Sequence, residues 1–179
     1  MAGPASGADG HRVRLLGGGD ELFPAVVDAL ALAEREIWLA TYIFHDDPAS
    51  RRVADAMIAA AARGVQVRLV VDGFGSNATI ATLREWFGGS GVALEVFRPL
   101  ERWWAYFQPG QLRRLHQKLC AVDSRLAFVG GINIIDDRHD IHHGWSEHPR
   151  LDFAVQLEGP VAADVHRVVH ALWARANLG

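Results

Sequence analysis

The chain predicts an α/β fold with a largely parallel sheet, and three observations lead there. Its 179 residues fit one domain with a sizeable core and are short for two. Half of them are hydrophobic, a globular composition that excludes disorder of the whole chain. Apolar, β-rich runs then alternate with amphipathic runs at short spacing. That alternation implies parallel strands joined by right-handed crossovers.

Residues 1–10 (MAGPASGADG) are small and polar and read as a disordered leader, which leaves 11–179 as a single domain. The leader has neither a basic start nor an apolar stretch, so it does not read as a signal peptide. Arg12 to Leu16 forms a short strand closed by Gly17, Gly18 and Gly19. Asp20 is placed to cap a helix from Glu21 to about Glu34, with Leu22, Val26, Val27 and Leu30 on one stripe. Ile37 to Phe44 is β-rich and largely apolar and reads as a buried strand. Ser50 caps the next helix, RRVADAMIAAAAR, and Gly64 ends it. Val65 to Val71 is a strand followed by the turn Asp72-Gly73-Phe74-Gly75-Ser76. Gly73 and Gly75 lack the rest of a phosphate-loop pattern and read as a plain turn. Asn77 opens a helix to about Phe87, and Val92 to Phe97 is a further strand. Residues 98–115 break the alternation as a long loop. Leu119 to Gly130 reads as a hairpin turning near Ser124, Leu151 to Leu157 as a strand, and Val161 to Ala176 as a final amphipathic helix.

A net charge of −3 supplies no global positive field to recruit nucleic acid. Cys120 stands alone in an apolar run, so no intramolecular disulfide is available and a buried structural thiol is expected. No apolar run approaches ~18 residues, so no transmembrane helix is expected, and the chain reads as cytoplasmic.

Lys118 is the only lysine, against seventeen arginines. It sits in LRRLHQKLCAVDSRLAFVGGINIIDD: H-x-K, four residues, D, six residues, then G-G-x-N. Residues two apart on a strand face the same side, so His116 and Lys118 point together. A hairpin turning near Ser124 sets Lys118 roughly opposite Gly130 and His116 roughly opposite Ile132, and returns Asn133 to the neighbourhood of His116. Asp123 has the opposite parity and belongs to the turn as a structural residue. The pocket suits a phosphodiester. Neutral imidazole is a competent nucleophile near pH 7. Lys118 and Asn133 can stabilise charge on the non-bridging oxygens, and Gly130 and Gly131 can let the backbone approach a phosphate. Lysine acts there as a compact point charge, unlike the planar fork of arginine.

HQKLCAVD followed by GGIN resembles the signature of the phospholipase D superfamily. HRVRLLGGGDELFPAVVDALALAEREIWLATYIF, GVQVRLVVDGFGS and LDFAVQLEGPVAADV look like the N-terminal half of bacterial cardiolipin synthases, so the resemblance covers roughly residues 11 to 175. It implies a phospholipase D-like α/β/α sandwich around a mixed, mostly parallel sheet. It also implies two-step transfer through a phosphohistidine, with no cofactor and no metal. His116 is then nucleophile or general acid, Lys118 and Asn133 hold the phosphate, and Asp152 accepts the second imidazole proton and orients His116. Ala40 stands where members of the family often carry an acid.

Cardiolipin synthases usually carry two such motifs, and this sequence has one. In-line displacement needs one group attacking and another protonating the leaving oxygen from the opposite side. His116 and Lys118 share a side, so a second histidine must come from a second motif-bearing half or a homodimer partner. The expected function is phosphatidyl transfer between phospholipids, as half of a two-motif enzyme. The alternatives are a homodimeric single-motif phosphodiesterase or nuclease, and a non-catalytic lipid- or partner-binding module.

Two further segments stand out. In 98–115, Trp103, Trp104, Tyr106 and Phe107 mix with Arg98, Arg102, Arg113 and Arg114. Such a loop suits peripheral contact with an anionic membrane, on the inner face of the cell membrane. Packing on the core is the equal alternative; stacking on nucleic acid is disfavoured by the acidic net charge. Asp136, Asp137, His139, Asp140, His142, His143 and His148 crowd a second segment, which a solvated loop explains more simply than a zinc site.

Overall fold

Strand periodicity divides the core in two. In the strand Glu36–Thr41, Ile37 and Leu39 face one apolar cluster while Trp38 and Ala40 face another. Val67, Leu69 and Val71 join the first cluster, and Val70 the second. A strand apolar on both faces must be covered on both, which requires three layers. The computed structural model describes residues 5–6, 10–99, 114–141 and 144–178. In chain order these form β1 (Ala5–Ser6), β2 (Arg12–Gly17), α1 (Gly18–Ala31), β3 (Glu36–Thr41), α2 (Pro48–Ala62), β4 (Gln66–Asp72), α3 (Ile80–Phe87) and β5 (Val92–Phe97). There follow β6 (Lys118–Val122), β7 (Leu126–Gly130), β8 (His139–Asp140), β9 (Gly144–Trp145), β10 (Phe153–Glu158) and α4 (Val161–Leu178).

Leu22, Val26 and Leu30 of α1, Val53 and Met57 of α2, and Leu83 and Phe87 of α3 fill the larger cluster. Val169 and Leu172 of α4 close the smaller one with Leu115. Arg68 lies on that same face, its guanidinium 4.6 Å from the ring centre of Trp38 and 5.2 Å from that of Trp173. The result is the expected α/β/α sandwich.

The main sheet runs β1-β2-β10-β7-β6-β3-β4-β5. It is mixed. Five of its eight strands point the same way, yet only β3–β4 and β4–β5 are parallel neighbours. The hairpin β6–β7 and the return of β10 between β7 and β2 make the other pairs antiparallel. Ala5–Ser6, inside the stretch read as a disordered leader, pairs with β2.

Two caps differ from expectation. Asp47, not Ser50, caps α2: its carboxylate accepts the Ser50 N–H at 2.9 Å, with Pro48 in the first turn. Helix α1 starts at Gly18, ahead of Asp20; the Asp137 carboxylate accepts the Gly19 N–H there, a cap supplied from 118 residues away. Cys120 is buried among apolar neighbours, which pushes its thiol up to about 12 and makes it inert. Among the described residues, no helix is long and apolar enough to cross a membrane.

Candidate active site

The C-terminal ends of β3 and β4, the start of β6, the end of β7 and the start of β10 meet at one edge of the sheet. Open α/β sheets bind ligands at such an edge. Lys118 opens β6 opposite Gly130, as the hairpin register predicts, and Leu119 pairs with Ala40 near the end of β3. His116 precedes the strand, in extended chain outside the ladder, and is exposed. Its place is fixed by an anchor that sequence reading passed over. Asp72, fully buried at the end of β4, accepts the Leu115 N–H at 2.8 Å and the Phe74 and Gly75 N–H groups at 2.8 and 3.0 Å.

His116 and Lys118 converge. The Lys118 ammonium lies 3.4 Å from His116 Nδ1 and donates to the His116 carbonyl at 2.9 Å. Tyr42, just past β3, lies beneath both: its ring centre is 5.0 Å from the imidazole and 5.5 Å from Lys118 Nζ. Sequence reading also missed Tyr42, although its position after a central strand is the available signal. Burial and the nearby Asp72 carboxylate raise the Tyr42 hydroxyl above its ordinary pKa, against the Arg114 guanidinium. Burial lowers the Lys118 pKa, and the Asp152 carboxylate opposes that shift.

Asn133 is held beside the same strand end, where its Oδ1 accepts the Ile43 N–H at 3.1 Å. The amide NH₂ is then the group that can donate to a substrate. Asp152 precedes β10, its carboxylate accepting the Phe153 N–H at 2.8 Å. The described contact of His116 Nδ1 is thus Lys118 rather than Asp152.

The two glycines have a different explanation from the phosphate approach expected of them. A Cβ on Gly130 would meet Ala154 Cα at 2.5 Å, and one on Gly131 would meet Asp152 Oδ1 at 2.3 Å. The Gly131 N–H is already committed to the Phe153 carbonyl at 3.0 Å. Their missing side chains let β10 close against the hairpin and seat Asp152. Asp123 lies at the far end of β6, with φ at 52°. It accepts the Glu34, Arg35 and Glu36 N–H groups at 2.8 to 2.9 Å. Burial pushes its carboxyl up, but those three bonds and the Arg35 charge outweigh burial and hold it below its ordinary value.

Of the aromatic and basic loop, Trp103, Trp104 and Arg113 lie outside the described residues. Arg114 stacks on Phe74 at 5.3 Å and donates to the Arg98 carbonyl at 3.3 Å. The acidic, histidine-rich segment is only partly solvated. Asp137 is buried by its bond to α1, and His139 packs 4.4 Å from His45, centre to centre. His142 and His143 lie outside the described residues.

The family profile of the cardiolipin synthase PLD-like domain matches residues 26–143, about two thirds of the chain. The chain belongs to this phospholipase D-like family. Cardiolipin synthase B of Salmonella typhimurium is 34% identical over 157 residues, which make up 88% of this chain and 37% of the relative. Cardiolipin synthase A of Pseudomonas fluorescens is 33% identical over 153 residues, 86% of this chain and 31% of the relative. The chain therefore spans about a third of the length of the curated relatives it matches. Among solved structures, Nuc from Salmonella typhimurium, a phospholipase D family member, superposes with a TM-score of 0.67 at 20% identity. The match covers 92% of this chain and 95% of Nuc. NucT from Helicobacter pylori gives 0.63 at 14% identity, over 93% and 97%. These two likenesses establish the fold.

Proposed function

We propose that this chain is one catalytic half of a phosphatidyltransferase of the cardiolipin synthase type. The observation that carries the reading is the exposed His116 with the Lys118 ammonium 3.4 Å away, in a chain 34% identical to a cardiolipin synthase. In the first step one imidazole attacks the phosphorus of a phosphatidyl group. The P–O bond to the leaving alcohol breaks, and the second imidazole protonates the departing oxygen. In the second step the acceptor hydroxyl attacks the phosphohistidine, gives its proton to the second imidazole and releases the first. His116 takes one of these roles; a histidine from a second half takes the other. Lys118 and the Asn133 amide stabilise the oxygens in the transition state. Attack through Nε2 requires a proton on Nδ1, so in the reacting state the imidazole turns Nδ1 away from the Lys118 ammonium, which has no acceptor, towards Asp152, the carboxylate proposed to receive that hydrogen bond. Trp103, Trp104, Arg113 and Arg114 are proposed to rest on the membrane that holds the substrate.

Joined to a second motif-bearing half, the wild-type chain should transfer phosphatidyl groups between phospholipids in vesicles. His116→Ala should lower that rate by at least about 10³-fold. Undiminished transfer by the variant overturns the proposal.

A homodimeric phosphodiesterase is the second reading. What favours it is that this chain matches 95% of Nuc and 97% of NucT, so chains of this size stand alone within the fold.

A further inference from the structure

Away from the catalytic cluster, the chain gathers His45 and Asp47 from the β3–α2 loop and His139 from β8. One donor atom of each lies within 4.8 Å of the other two. His45 Nδ1 stands 3.4 Å from Asp47 Oδ2. The two imidazoles meet edge to face at 68°, and the Trp145 ring stacks on His139 with centres 5.0 Å apart.

Aromatic packing accounts for the rings but not for their nitrogens. Nδ1 of both histidines is buried without a hydrogen-bond partner among the described residues. Buried polar atoms are almost always paired, so two unpartnered imidazole nitrogens, one of them 3.4 Å from the Asp47 carboxylate, call for a ligand. Asp47 accepts the Ser50 N–H on one oxygen and the Asp136 N–H on the other. A carboxylate has about four acceptor positions, so lone pairs remain on it. Two imidazoles and a carboxylate form a donor set of borderline softness, which suits zinc and its first-row neighbours rather than magnesium or calcium.

We propose that His45, Asp47 and His139 bind one divalent cation of the zinc class. Zinc–ligand bonds of ~2.0–2.1 Å place tetrahedral donors about 3.4 Å apart. The His45–Asp47 pair already has that separation, and rotation of the imidazoles closes the rest. Three protein ligands leave a fourth position for water or another donor. The ion takes no part in phosphoryl transfer and does not depend on that reading. It fastens the segment after Gly-Gly-Ile-Asn to the β3–α2 loop. The same junction carries the His45 N–H to Ile134 carbonyl bond at 2.8 Å and the Ile134 N–H to Ile43 carbonyl bond at 3.0 Å. Asn133 is bonded to Ile43 at 3.1 Å, so the ion sits one hydrogen-bonded link from a proposed phosphate ligand.

The test is titration of the chelator-treated full chain with zinc sulfate, and with cobalt(II) as a spectroscopic stand-in. One ion per chain should bind, with a raised unfolding midpoint and visible cobalt absorption. Magnesium chloride should produce no shift. The double variant His45→Ala/His139→Ala should weaken binding at least about a hundredfold. Asp47→Asn, which keeps a capping oxygen on α2, should weaken it at least about tenfold. His148→Ala, an exposed histidine of the same segment, should leave it unchanged. Absence of a bound ion, or binding that survives in the double variant or in Asp47→Asn, overturns the site.

Discussion

The Lys118 ammonium lies between two opposing influences, and that balance can be read from a pH profile. Burial disfavours its charge, while Asp152 favours it. The alkaline limb of activity should therefore lie below the ordinary lysine value of about 10.4. Asp152→Asn removes the carboxylate that holds the charge in place, so the limb should move lower still. An identical alkaline limb in that variant disproves the coupling. Lys118→Arg should lower kcat by about 10²-fold or more, because a planar fork cannot replace a point charge 3.4 Å from the imidazole. Asp123 yields a prediction about stability instead. Its pKa is depressed in the folded chain, so its contribution is present above the unfolded value of about 3.9 and is lost as pH falls through the folded one. Asp123→Ala should destabilise at neutral pH, and its deficit against wild type in denaturant melts should shrink below about pH 4. A deficit independent of pH speaks against the three backbone bonds as its source.

At the scale of elements, the junctions between strands carry the site. Asp72 joins the end of β4 to the chain entering the motif, and its removal would leave three N–H donors without their acceptor. At ~1–3 kcal/mol for the buried Leu115 N–H and less for the part-buried Phe74 and Gly75 N–H groups, Asp72→Ala should cost about 2 kcal/mol or more in urea unfolding. A loss under about 1 kcal/mol means that the anchor is not what fixes Leu115. The hairpin was legible in the sequence because β-period parity and a single turn set its register, down to Lys118 opposite Gly130. Strand β5 was legible to the residue, since apolar runs bounded by turn residues have few alternatives. Asp72 was not legible, because its partner Leu115 is 43 residues away and no local pattern announces it. The cap of α1 by Asp137 escaped for the same reason, and so did the pairing of His139 with His45. The glycines were found, but their cause was not. Only the fold shows that β10 presses Ala154 and Asp152 into the space their side chains would fill.

The whole molecule poses the question of the second histidine. His116 and Lys118 converge at one strand end, and the in-line transfer proposed for them needs a proton delivered from the opposite side of the phosphorus. The chain covers 37% of cardiolipin synthase B and 95% of Nuc, and the two proposed sources of that group are a second half and a second copy. Mixing separates the two sources. In a closed two-fold dimer, each site would need His116 from both protomers. Wild type co-refolded with an equal amount of His116→Ala would then leave about one quarter of the dimers fully paired, by random association in a two-fold assembly. Activity per total protein should fall to about a quarter of the wild-type value on a simple phosphodiester. As half of a longer enzyme, the chain should sediment as a monomer and be inert alone. It should gain activity only when a second motif-bearing half is added, and His116→Ala would then dilute the signal in proportion, to about one half. A chain that is monomeric and fully active by itself excludes both arrangements, and with them the requirement for a histidine from outside.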